Sequence, residues 1–135
     1  MDYYDQIESA RGKSPTITDW EHIPAETVED PKMSTHSGTV RKTWVGTNVV
    51  LTRVVVKGSS KGKPHFHPSE QVSMIMRGGA RVFMNGTEQI AGPGAIVHIP
   101  AGTVHMFEIL DEETEILDVY HVKDNAEELR KGYPA

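Results

Sequence analysis

The chain contains no cysteine, which excludes disulfide bridges, thiolate metal sites and a cysteine nucleophile. It has no basic surplus either: 14 lysines and arginines face 19 aspartates and glutamates, a formal net charge of −5. Phosphate backbones need a basic face, so nucleic acid is not an expected partner. No apolar run approaches the length of a membrane span. Residues 1–14 lack the basic start and apolar stretch of a secretory leader and carry Asp2, Asp5 and Glu8 instead. The expectation is a cytoplasmic protein with neither nucleic acid nor membrane as partner. What is present suits one ordinary domain: 135 residues, 37% of them hydrophobic and 24% charged. There are also seven histidines. Without thiolates, any metal here must be held by nitrogen and oxygen.

The middle of the chain reads as β-structure. Residues 49–57 (VVLTRVVVK) are β-branched and too short for a helix of that composition. Residues 40–45 precede them across a turn at Gly46, Thr47 and Asn48. Further runs at 71–77, 80–85, 87–90, 95–99, 105–109 and 114–121 are separated by Gly78-Gly79, Asn85-Gly86, Gly92-Pro93-Gly94, Pro100-Ala101-Gly102 and an acidic turn at 111–113. About eight short strands with regular turn signals predict a sandwich or barrel. In 71–77, alternation puts Val72, Met74 and Met76 on one face and Gln71, Ser73 and Ile75 on the other. Apolar residues on the outward face need cover, which predicts a homodimer. Residues 1–15 read as a poorly anchored arm or frayed helix, 16–123 as the barrel, and 124–135 as a short C-terminal helix and tail stopped by Gly132.

Chemistry concentrates at His65-Phe66-His67. On an extended chain, residues i and i+2 share a face, so the two imidazoles converge while Phe66 points away. Imidazole suits Zn, Cu, Fe and Ni. Downstream, residues 94–105 read GAIVHIPAGTVH.

Together, residues 62–78 and 94–105 resemble the two signature motifs of the cupin superfamily, G-x5-H-x-H-x3,4-E-x6-G and G-x5-P-x-G-x2-H-x3-N. The second matches from Gly94 through Pro100 and Gly102 to His105, with Ile109 in place of the final Asn. In the first, Gly62 lies two residues before His65 rather than five, Gly58 being another imperfect match, and Gln71 stands where Glu is usual. Fifteen residues separate Gly78 from Gly94, as in small single-domain cupins. The resemblance implies an all-β, double-stranded β-helix or jelly-roll barrel. It implies one divalent ion (Zn, Ni, Fe, Mn or Cu) on His65, His67, Gln71 and His105. Glu70 is the competing ligand for Gln71, but alternation puts it on the opposite face. His98 reads as a structural histidine rather than a fifth ligand.

The run His-x-His-Pro-x-Glu-Gln is similar to that of one group in particular, the pectin-degradation cupins that linearise 4,5-unsaturated uronates. The similarity runs from about Trp20 to Tyr120. That group carries an Asp and, two positions later, an aromatic residue on its last strand beside the metal. Here they match Asp118 and Tyr120, which the resemblance makes the catalytic pair. The group's following Ser-Pro-Pro-Arg is absent; this chain has His121-Val122-Lys123-Asp124. Lys123 offers a point charge there and not a bidentate fork. Arg53 and Arg41 are other candidates for a substrate carboxylate, and Ser73 and Phe107 are further substrate-binding candidates. The expected function is a metal-dependent isomerase, lyase or enolising enzyme acting on a sugar-like or carboxylated small molecule. A metal-dependent dioxygenase, a polyketide-cyclase-like cupin and a non-catalytic binding module are the alternatives.

Overall fold

Turn chemistry cuts the chain into short extended pieces, and the pieces pair into two antiparallel sheets. The computed structural model describes residues 3–12, 14–28 and 38–121. Helix α1 (Tyr3–Ala10) is followed by a 3-10 turn (Trp20–His22) and nine strands. These are β1 (Glu26–Val28), β2 (Thr39–Val45), β3 (Val49–Val56), β4 (Gln71–Arg77), β5 (Ala80–Met84), β6 (Thr87–Ala91), β7 (Ile96–Ile99), β8 (His105–Ile109) and β9 (Thr114–His121). One sheet has the order β1-β2-β3-β9-β4-β7, the other β6-β5-β8. Among the described residues, no helix is long and apolar enough to cross a membrane.

Register decides which side chains meet. In an antiparallel ladder, directly opposed residues share a face. Three rows therefore cross the inner face of the large sheet. The first is Val45, Val50, Tyr120, Gln71 and Ile99; the second is Thr43, Thr52, Asp118, Ser73 and Val97. The third is Arg41, Val54, Ile116 and Ile75. The third row is apolar apart from Arg41 and joins Ala80, Val82 and Ile109 of the small sheet in the buried core. Polar residues thus gather toward one end of the barrel and apolar ones toward the other. The outer face carries Leu117, Met74 and Ile96 beside Arg53, and Ile96 is 71% exposed.

The ends of the strands fall within a residue or so of those read from the sequence, with two additions. β1 is three residues long, too short for periodicity to mark it. Residues 3–10 form a helix that is anchored rather than frayed: Ile7 is fully buried, and Arg11 donates to the Thr47 carbonyl at 2.6 Å. The expected C-terminal helix at 124–135 lies outside the described residues.

Gly78 shows what the first motif's terminal glycine does. Its φ is +78°, and a Cβ there would clash with Thr114 Oγ1 and lie 2.6 Å from the Glu113 carbonyl. Thr114 also bonds both backbone groups of Gly79, tying the β4–β5 turn to β9. Gly86 has a similar φ of +79° but open space around it. We expect Gly78→Ala to cost at least about 2 kcal/mol, strain plus displacement, and Gly86→Ala only about 1 kcal/mol, strain alone. Urea unfolding of both variants checks this; equal losses would contradict the steric part.

Candidate metal centre

The three histidines come from two segments that the backbone zips together. His65 and His105 exchange both backbone hydrogen bonds, at 3.0 and 2.9 Å. This isolated bridge sets their rings side by side, with centroids 4.2 Å apart. His67 follows in extended chain, its carbonyl accepting from Gly102 N at 2.9 Å. Its ring lies 4.9 Å from that of His105 and 5.7 Å from that of His65. One ring nitrogen from each histidine falls within 4.8 Å of the others.

The ring orientations follow from the backbone. Nδ1 of His65, His67 and His105 lies 2.8 Å from the carbonyl oxygen of Lys63, Ser69 and Thr103 respectively. A carbonyl only accepts, so each Nδ1 carries the proton and each Nε2 keeps a lone pair. Burial holds all three imidazoles neutral at pH 7 by lowering their pKa values, His105 to about 4.

Gln71 completes the set from the first row of the large sheet. Its Oε1 lies 3.0 Å from His67 Nε2. Its Nε2 is turned away, donating to Ser73 Oγ at 2.9 Å and to Asp118 Oδ1 at 3.4 Å. Two acceptors therefore face each other at 3.0 Å, because the proton of His67 is on its other nitrogen. A cation between them resolves the conflict. Three imidazole lone pairs and an amide oxygen fit a divalent transition metal, with the carbonyls on each Nδ1 fixing the ring planes.

Asp118 lies one row deeper. It is surrounded by protein yet keeps some accessible surface, so it lines the lumen. Ser73 Oγ donates to it at 2.5 Å. Burial pushes its carboxyl up to about 6, only partly opposed by the hydrogen bonds from Ser73 and Gln71. Tyr120 is opposite Gln71 on the same inner face, also partly accessible. In the row of Asp118, Thr43 Oγ1 is buried with no hydrogen-bond partner among the described residues. A cleft of about 690 Å³ borders His105, walled by Pro64, Phe83, Met84, Val104 and Met106.

The structure brings His65, His67, His105 and Gln71 together, with Asp118 and Tyr120 beside them. It does not bring the arginines there. Arg53 is on the outer face, paired with Glu115 at 3.1 Å and stacked near Trp20, because alternation on β3 sends Thr52 inward. Arg41 faces inward but two rows from Gln71, buried against Glu26 at 2.6 Å. Neither is placed to bind a substrate at the histidines. Ser73 is fully buried, its hydroxyl engaged by Gln71 and Asp118, so it too is withdrawn from substrate. Phe107 lies on the inner face, opposite Val82 and packed against the core. Glu70 and His98 pair with each other at 2.7 Å, exposed on the outer side and away from the cluster. Lys123 lies outside the described residues. The chain of hydrogen bonds from Gln71 through Ser73 to Asp118 leaves no sign in the sequence, since only the β4–β9 register reveals it.

The family model described as "Cupin domain" matches residues 52–120, just over half of the chain. No curated protein matches the chain by sequence. Among solved structures, the chain is similar to KdgF from Halomonas sp., with 22% identity over 64% of this chain and 82% of that one, at a TM-score of 0.60. The polyketide cyclase RemF from Streptomyces resistomycificus gives 23% identity over 83% and 82%, at 0.68. A sugar phosphate isomerase of the cupin superfamily from Silicibacter pomeroyi gives 16% over 78% and 75%, at 0.64. At these identities the likeness is one of fold.

The raised pKa of Asp118 has a sign for stability. The native carboxyl holds its proton more tightly than the unfolded one, whose pKa is 3.8. Its contribution is present below about pH 4 and lost as pH rises through about 6. In chelator, the wild type should therefore lose on the order of 2 kcal/mol relative to Asp118→Asn between pH 4 and pH 7, measured by urea unfolding. Parallel pH profiles for the two proteins would contradict the burial of this carboxyl.

Proposed function

The chain belongs to the cupin domain family, and we propose that it is an enzyme that moves a proton on a small, oxygenated, sugar-like molecule held at a divalent ion. His65, His67 and His105, with Gln71 Oε1, would hold the ion. When bound, a divalent ion supplies Lewis-acid polarisation of a carbonyl or hydroxyl oxygen. The observation that carries the reading is the place of Asp118: a lumen-lining carboxyl 3.4 Å from the amide whose oxygen faces His67.

Asp118 takes the proton from the carbon next to the substrate carbonyl, the electron pair passing to the carbonyl oxygen as an enolate, and returns the proton to the same carbon in enolisation or to the former carbonyl carbon in isomerisation. Tyr120 orients the substrate oxygen from the adjacent row. The row of Thr43, Thr52, Ser73 and Asp118 makes this stretch of the inner face polar. With Arg41 and Arg53 directed elsewhere, a carboxylate on the substrate is not needed. A second reading, cyclisation of a more apolar polycarbonyl molecule by the same proton chemistry, is favoured by the apolar wall of the cleft beside His105.

Solvent deuterium exchange tests both readings. Hydroxyketone sugars, a 4,5-unsaturated uronate and an aromatic 1,3-diketone are incubated anaerobically in D2O and followed by NMR. We expect label at the carbon next to a carbonyl in at least one probe, lost on chelation. We expect Asp118→Asn to keep the metal but slow exchange about 10²-fold or more. Wild-type exchange in Asp118→Asn would overturn the role of Asp118. Dioxygen consumption would point instead to a dioxygenase, and probe-induced stabilisation without exchange to a binding module.

We also propose that the chain is a homodimer through the outer face of its large sheet, where Ile96 and Met76 are exposed beside Met74 and Leu117. Light scattering at micromolar concentration should give twice the 15.0 kDa of one chain; a monomer mass removes the proposal.

A further inference from the structure

We propose that Ser73 and Asp118 are positioning residues that force the fourth donor of the histidine cluster to be an oxygen. The inference rests on reading that cluster as a metal centre. It concerns which atom of Gln71 faces the ion and not the reaction.

A side-chain amide is nearly symmetric in shape, so packing alone does not choose between its oxygen and its nitrogen. The choice matters here. Oε1 offers lone pairs, whereas Nε2 offers two N–H donors that a cation repels. Polarity fixes the choice in three steps. An ionised carboxylate only accepts, so at 2.5 Å the Ser73 hydroxyl donates its single hydrogen to Asp118. Having spent it, the hydroxyl can only accept from Gln71, so the Gln71 atom 2.9 Å away is the nitrogen. The oxygen is then left facing His67 Nε2 at 3.0 Å. The contact of Gln71 Nε2 with the same Asp118 oxygen reinforces the orientation.

Two features separate this from an incidental polar contact. Ser73 is 0% exposed, so bulk water cannot take the place of Asp118 or Gln71 as its partner. The three residues also come from facing positions of two paired strands, with Ser73 opposite Asp118 and Gln71 opposite Tyr120. The orientation is thus written into the register. Because Asp118 stands behind a neutral amide, the negative charge absent from Gln71 itself is held one residue further from the ion.

Cobalt(II) titration of the purified, chelator-stripped full chain tests the inference by affinity and visible absorption. Ser73→Ala keeps the charge of Asp118 but removes the relay. It should bind cobalt about 10-fold or more weakly, the usual scale for an outer-shell loss, with an altered spectrum. Asp118→Asn can still accept the Ser73 hydroxyl through Oδ1 and should keep the wild-type spectrum. Asp118→Leu cannot, and should reproduce the change seen in Ser73→Ala. It keeps the inference testable if Ser73→Ala does not fold. Wild-type affinity and spectrum in Ser73→Ala, or in Asp118→Leu, would overturn the positioning role alone. Failure of the wild type to bind cobalt would overturn the metal centre itself.

Discussion

The fold and the site both depend on strand β9 lying between β3 and β4. That placement pairs residues far apart in the chain, Thr52 with Asp118 and Asp118 with Ser73, and makes one continuous inner surface of three strands. Because side chains alternate, it divides β9 into an inward set, Ile116, Asp118 and Tyr120, and an outward set, Leu117 and Val119. A slip of one residue would put Leu117 behind Gln71 and turn Asp118 to the outer face. The Gly78-Gly79 turn and Thr114 pin the register at one end, where glycine alone fits.

Above that surface, backbone carbonyls do most of the work on the histidines. A buried imidazole costs little while neutral, and a carbonyl at each Nδ1 satisfies the one donor it has. What is left is a convergence of imidazole lone pairs and the Gln71 amide oxygen. Such an arrangement is unfavourable in isolation, since facing lone pairs repel. A cation turns the repulsion into coordination. The donor set is neutral throughout, so a dication held there would keep its full charge uncompensated by its ligands. Asp118 stands behind Gln71, its Oδ1 3.4 Å from the amide nitrogen.

Much of this was legible in the sequence, for physical reasons that differ from element to element. The strands were legible because Gly, Pro and Asn-Gly punctuate β-branched runs. His65, His67 and His105 were legible because their spacing to Pro100 and Gly102 follows a known motif. Alternation separated Gln71 from Glu70, and Glu70 does lie outward, bonded to His98. Where the arginines point was not legible, because alternation fixes a face only when the register to a neighbour is known. Once Thr52 opposes Asp118, Arg53 must point outward. The anchored α1 was not legible, since one buried residue, Ile7, carries no periodic signal. The role of Ser73 was hidden for a related reason: its partner lies 45 residues away, across a pairing between strands that are not neighbours in sequence.

The carbonyls at Nδ1 require three neutral imidazoles held as Nδ1–H tautomers, with their Nε2 lone pairs turned toward one another. Nitrogen-15 NMR of the metal-free protein at pH 7.5 measures this directly, because protonated and unprotonated ring nitrogens differ widely in chemical shift. His65, His67 and His105 should all show a protonated Nδ1 and an unprotonated Nε2, and one equivalent of zinc should shift all three Nε2 signals together. An Nε2–H tautomer at any of the three, or Nε2 signals that zinc leaves in place, would contradict it.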